Sequence, residues 1–120
     1  MLFNRYQHFS LVRPQAHNEQ VIKLYKQDRY AEAIPIAEKA LLIREKEFGT
    51  DHLEVARSLN NLAVLYKEMG NYSKAEPLYK RSLAINEKSL GPDHLKVAVI
   101  LNNMALLNKS LGDYTKAEHL

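Results

Sequence analysis

Two dipeptides in the 120-residue chain set a carboxylate beside an imidazole, Asp51-His52 and Asp93-His94. Such a pair can ligate a metal or move a proton, but either task needs further groups at fixed spacing. Zinc takes three or four ligands, and the chain has no cysteine, no H-E-x-x-H and no helical histidine pair. Serines occur, yet none stands in a G-x-S-x-G elbow. The pairs read instead as helix caps, with Asp51 and Asp93 as N-cap residues and Glu54 completing a capping box. The sequence therefore points to no catalytic residue, no metal and no cofactor, and to a protein that is not an enzyme.

A different kind of chemistry is offered by Asn60-Asn61, repeated as Asn102-Asn103. Asparagine inside a helix costs a few tenths of a kcal/mol, so its repetition asks for a reason. An amide can donate to and accept from a peptide backbone whatever the sequence of that peptide. A face of hydrogen bonds between helices would explain the same residues. The tyrosines at 25, 30, 66, 72, 79 and 114 could stack on nucleobases, but their helical spacing makes them core residues first. The 17 basic and 14 acidic side chains are interleaved, with no run of four Lys or Arg. This leaves no basic stripe for phosphates and a mild preference for acidic partners. No apolar run approaches the ~18 residues of a membrane span. Residues 1–13 lack the pattern of a signal peptide. The absence of cysteine is compatible with a reducing, cytoplasmic setting.

The elements that must position these residues follow from a period. Gly49, Gly70, Gly91 and Gly112 stand 21 residues apart. Residues 49–78 laid on 91–120 give 18 identities in 30 positions, the mark of a repeat architecture. A diverged copy precedes them, with Tyr30, Ala33, Pro35 and Leu41 matching Tyr72, Ala75, Pro77 and Leu83. Apolar residues at i, i+3, i+4 spacing predict helices at about 15–27, 30–48, 53–69, 72–90, 95–111 and from 114 onward. Each glycine supplies a left-handed residue at a helix C-terminus, and Asp28 takes that place in the first copy. Pro35 and Pro77 are expected near the first turn, where a missing N–H costs little. Ala63 and Ala75 mark a close approach of two helices. The expected fold is all-α, a solenoid of antiparallel helix pairs with two complete repeats and a truncated third. Residues 1–14 form an extension in which Phe3, Tyr6 and Phe9 could cap the first pair. The array occupies 15–120, with repeats at about 15–52, 53–94 and 95–120.

The segment Leu59 to Ile85, LNNLAVLYKEMGNYSKAEPLYKRSLAI, resembles the tetratricopeptide repeat, with Leu62, Ala63, Tyr66, Gly70, Tyr72, Ala75, Tyr79 and Leu83 as matching marks. The period and the tail INEKSLGPDH resemble the long-helix subclass typified by kinesin light chain. That subclass usually has proline after the Asp-His pair, where Leu53 and Leu95 stand here. Ser82 replaces a usual alanine and is expected to loosen one contact. The resemblance implies a superhelix whose first helices line a concave groove for a peptide or partner protein. By position, the groove residues would be Asn18, Ile22, Tyr25 and Lys26 in the first repeat and Arg57, Asn60, Asn61, Val64 and Lys67 in the second. In the third they would be Val99, Asn102, Asn103, Leu106 and Lys109. A two-carboxylate clamp for acidic C-termini is not implied, because Ile22 and Val99 stand where that clamp needs Asn and Lys.

The leading expectation is a scaffold for protein binding. The alternatives are a regulatory or sensor segment of a larger enzyme or signalling protein, and a self-assembly module. The third repeat stops early in its second helix, so an apolar face on 95–111 is expected to stand open, available to self-association.

Overall fold

The computed structural model describes residues 17–119, and the side chains of 17–112. The Phe3, Tyr6 and Phe9 cap lies outside the described residues, as does the side chain of Tyr114. Five helices and no strand are found among the described residues: α1 (17–26), α2 (Tyr30–Phe48), α3 (Leu53–Glu68), α4 (Tyr72–Leu90) and α5 (Leu95–His119). From α2 onward each helix packs on the next in the chain. The resulting body measures 64 × 33 × 20 Å with a radius of gyration of 15.9 Å. A compact domain of this length would have about 14 Å, so the helices form a stack rather than a ball.

Small residues let the helices approach. Ala33, Ala56, Ala63 and Ala75 are all buried, with Leu59, Leu65 and Tyr79 filling the space beside them. One core cluster joins Val21 and Leu24 of α1 to Ala33 and Ala37 of α2 and to Val55, Leu59 and Leu62 of α3. A second joins Ala63, Ala75 and Tyr79 to Ile100 and Leu107 of α5. Burying a leucine as fully as Leu59 contributes about 1.5–3 kcal/mol.

The tight turns explain why the pairs are antiparallel. At Gly70 the backbone is left-handed (φ 77°), with Asn71 N–H donating to Tyr66 C=O at 2.8 Å and Gly70 N–H to Lys67 C=O at 2.9 Å. This double bond pattern is the Schellman closure of a helix. Asp28 (φ 58°) forms the same closure, with Arg29 N–H on Leu24 C=O at 2.9 Å. Asp can occupy this region because its cost there is modest.

Five expectations need correction. Gly112 closes nothing: it lacks positive φ, and α5 runs through it to His119. Glycine permits a turn without requiring one, and continuing the helix adds one hydrogen bond per residue against a glycine penalty of ~1 kcal/mol. The N-caps are the histidines rather than the aspartates. His52 Nδ1 accepts from Glu54 N–H at 3.0 Å and His94 Nδ1 from Lys96 N–H at 3.1 Å, and the Glu54 carboxylate turns to Arg44 instead of closing a box. Pro35 and Pro77 lie in the second helical turn, six residues into α2 and α4. They are tolerated because they and the residues four before, Ala31 and Ser73, are exposed, so the released carbonyls face water. Ser82 loosens nothing, since its buried hydroxyl donates to Ala56 C=O of α3 at 3.0 Å. Of the tyrosines whose side chains are described, only Tyr79 is fully buried; Tyr25 is 38% exposed and Tyr30, Tyr66 and Tyr72 are half-buried.

Candidate functional site

The helix order sets α1, α3 and α5 as the first members of successive pairs, and two clefts flank α3. The smaller, about 230 Å3, lies between α1 and α3 and is lined by Val21, Ile22, Tyr25, Asn61, Val64 and Leu65. The larger, about 470 Å3, lies between α3 and α5. Leu53, Glu54, Ala56, Arg57 and Asn60 form one wall, Leu95, Lys96, Val99 and Ile100 the other, and Ser82 and Asn86 of α4 complete the lining. The adjacent asparagines of α3 thus diverge, Asn61 to one cleft and Asn60 to the other.

Of the positions expected from sequence, Ile22, Tyr25, Asn61 and Val64 meet in the first cleft, and Arg57, Asn60 and Val99 in the second. Asn18 is buried. Lys67 and Asn103 are half-buried, while Lys26, Asn102, Leu106 and Lys109 are exposed. None of these lines either of the two clefts.

Apolar surface is open here. Ile22 and Tyr25 stand near 40% exposure and Val99 at 48%, on helices whose opposite sides are packed. Tyr25 is held by a tilted ring contact with Tyr30, centroids 5.6 Å apart. The Tyr30 hydroxyl donates to Asp28 at 2.8 Å, and this bond, with lesser help from burial and the Asp28 charge, pushes its pKa up to about 12.

The charges of the larger cleft are unequal in their commitments. Glu54, its only carboxylate, is engaged by Arg44, a residue buried to 3% exposure at the α2–α3 contact. Arg57 and Lys96 have no carboxylate within ion-pair distance among the described residues. The cleft therefore presents two uncommitted cations, amides and apolar walls. Such a set can recognise a polypeptide, and it offers no nucleophile with a base beside it. Among the described residues no group of three or more His, Asp or Glu could hold a metal. No described helix is long and apolar enough to cross a membrane.

Sequence reasoning missed Leu53 and Leu95 at the cleft walls and Ser82 and Asn86 from α4. The signal for the last two was present: they continue the i, i+3, i+4 face of Ala75 and Tyr79, where polar residues are out of place. Asn86 is buried, donating to Ser82 C=O at 2.8 Å.

The family model described as tetratricopeptide repeat matches residues 16–88 and, overlapping them, 68–120. Comparison with curated proteins gives no match.

Proposed function

The chain belongs to the tetratricopeptide repeat family, a family of protein-interaction modules, and on that premise we propose that its α1–α3–α5 face holds an extended, acidic segment of a partner protein. The reading assigns the apolar anchors to Ile22, Tyr25, Val64 and Val99, the backbone contacts to Asn60 and Asn61, and the charge contacts to Arg57 and Lys96. Asn102, Asn103, Leu106 and Lys109 extend the same face along α5, and Lys67 along α3. The observation that carries it is the charge imbalance of the larger cleft, where the one carboxylate is spent on Arg44 while two cations stay open. Charges at the rim of such a site set partner choice and encounter rate more than they set affinity. The 42-residue period favours the long-helix subclass typified by kinesin light chain, and the cysteine-free composition suits a cytoplasmic setting.

The test is to select acidic peptides from a displayed library against the full chain and titrate the best by calorimetry. Reversing both cations (Arg57→Glu with Lys96→Glu) should weaken binding roughly tenfold, at up to ~1 kcal/mol for each exposed charge pair lost or opposed. The affinity of the wild-type chain should also fall with added salt. Unchanged affinity in the double variant, with helical circular dichroism intact, would remove the charge contacts from the account. Unchanged affinity in Asn61→Ala with Asn103→Ala would remove the backbone contacts.

A further inference from the structure

Arg44 of α2 and Glu54 of α3 form an ion pair where the first hairpin meets the second, with the Arg44 side chain 4% exposed. Forty-two residues later the same two positions hold Asn86 of α4 and Lys96 of α5. The exchange removes the ion pair, and together Asn and Lys reach less far than Arg and Glu. Both residues line the larger cleft, and no hydrogen bond joins their side chains among the described residues. A space bridged in one repeat is thus left open in the next.

Asn86 is 5% exposed, and its neighbours fix its amide. Nδ2 donates to Ser82 C=O at 2.8 Å and to Ser82 Oγ at 3.4 Å, while the Ser82 hydroxyl donates onward to Ala56 C=O at 3.0 Å. These partners decide which end of the amide is nitrogen. Oδ1 is left as an acceptor that no donor reaches among the described residues. An acceptor so deep in the fold calls for a partner. Lys96, on the facing wall, brings donors and has no carboxylate within ion-pair distance among the described residues. Around the two stand the apolar side chains of Leu53, Leu95, Val99 and Ile100, with Leu95 open at 76% exposure.

We propose that this gap is a specificity pocket for one glutamine of the bound segment, whose NH2 donates to Asn86 Oδ1 and whose C=O accepts from Lys96 Nζ. The pocket deepens the acidic-segment reading and rests on it. Other side chains satisfy only one of the two groups. A glutamate meets Lys96 but turns a carboxylate on the Asn86 oxygen, acceptor against acceptor. A lysine or arginine meets Asn86 but sets its charge beside Lys96 and Arg57, while the one carboxylate of the cleft is held by Arg44. A leucine covers the walls and leaves the Asn86 oxygen without a donor, the costlier half of a lost hydrogen bond. Water can bridge the same groups, but only a side chain with a methylene stem also covers Leu53, Leu95 and Val99. Lys96 has three N–H donors, so bonding an amide oxygen leaves it able to meet a carboxylate on a neighbouring residue of the segment.

The test uses acidic peptides selected from a displayed library against the full chain. The winners should share a glutamine at one fixed position, next to acidic residues. The best of them is resynthesised with glutamate or with leucine in that place, and each should bind the wild-type chain about tenfold more weakly. Attraction by the cations alone predicts the opposite for glutamate, which should then bind more tightly. In Asn86→Leu the order should invert, with the leucine peptide bound better than the glutamine one. Helical circular dichroism should be retained in this variant, because Ser82 C=O keeps its helix bond from the backbone N–H of residue 86. A glutamate peptide that binds the wild type as well as the glutamine peptide, or an order unchanged in Asn86→Leu, overturns the pocket. Acidic winners with no preference at any one position show that water fills the gap, which sinks the pocket and spares the acidic-segment reading. A library that yields no acidic winner sinks both.

Discussion

Replacing Tyr79 by phenylalanine should stabilise the protein, and the magnitude can be worked from its surroundings. Tyr79 is 0% exposed, and its hydroxyl finds no hydrogen-bond partner among the described residues. A hydroxyl buried without a partner costs about 1–3 kcal/mol by the standard of protein variants. Removing the oxygen leaves a void of only ~10 Å3, a cost on the order of 0.3 kcal/mol. The ring stays where it is, packed with Ala63 and Ala75 between α3 and α5. Tyr79→Phe should therefore gain about 1–2 kcal/mol in urea denaturation and several degrees in Tm.

The alkaline limb makes the prediction sharper. Burial first, and then the charges of Glu68 and Tyr25, push the Tyr79 pKa from 10.0 to about 12. Between those values the folded chain holds a proton that the unfolded chain releases, so stability falls as pH rises. The contribution is whole below pH 10 and is lost as pH climbs through 12. Two pKa units correspond to something on the order of 2 kcal/mol for this buried ring. Tyr79→Phe lacks that loss, so its advantage over the wild type should widen between pH 10 and 12. A smaller decline remains in the variant, because hydrogen bonds to Asp28 and Glu38 also push Tyr30 and Tyr66 up to about 12. Parallel stability curves for the two proteins across that window, or a loss above ~1 kcal/mol at pH 8, would show that the hydroxyl has a partner.

Three further substitutions probe the supports of the proposed binding face. Glu54→Gln leaves the Arg44 guanidinium, with its side chain 4% exposed, facing a neutral amide; the cost should be about 1–3 kcal/mol in urea, less than for a fully buried pair because Glu54 is 40% exposed. His52→Ala removes both the cap on Glu54 N–H and the stacking on Phe48 at 4.5 Å, and should lower stability by about 1–2 kcal/mol in thermal melts. Ser82→Ala deletes the hydroxyl bond to Ala56 C=O and should cost about 0.5–1.5 kcal/mol; a gain in stability would restore the sequence expectation that serine is the poorer choice here.

How much was legible in the sequence depends on how local the cause was. Helix positions, the closures at Asp28 and Gly70, and the small residues at 63 and 75 follow from periodicity and φ/ψ preference, which act over a few residues. The choice of His52 over Asp51 as cap did not follow, because both side chains carry acceptors and the chain's angle of entry decides which one reaches the amide. Ser82 was misread because its value lies in a carbonyl 26 residues away. Gly112 was misread because a glycine allows a left-handed closure without imposing one, and a helix accepts it at a cost of ~1 kcal/mol. The proposed binding face shows the same division. Asn60 and Asn61 could be picked from their repetition, but their separation into two clefts depends on how far α1 and α5 stand from α3, a property of stacking rather than of α3 itself.

That separation constrains how a partner can be held. A segment crossing all three helices must pass over α3, where one asparagine faces each cleft and Arg57 stands on the α5 side. Apolar anchors are offered first by Ile22 and Tyr25 and then by Val99, while the uncommitted cations lie only in the second cleft. On the proposed reading a bound peptide has a polarity, with its apolar residues on the α1 side and its acidic residues on the α5 side. A sequence with the same composition in reverse order sets carboxylates in the α1–α3 cleft, whose lining holds no cation to offset their desolvation. Selected peptides should accordingly share an order as well as a composition. Library winners with acidic residues spread evenly along their length would mean that the two clefts are not read by one chain.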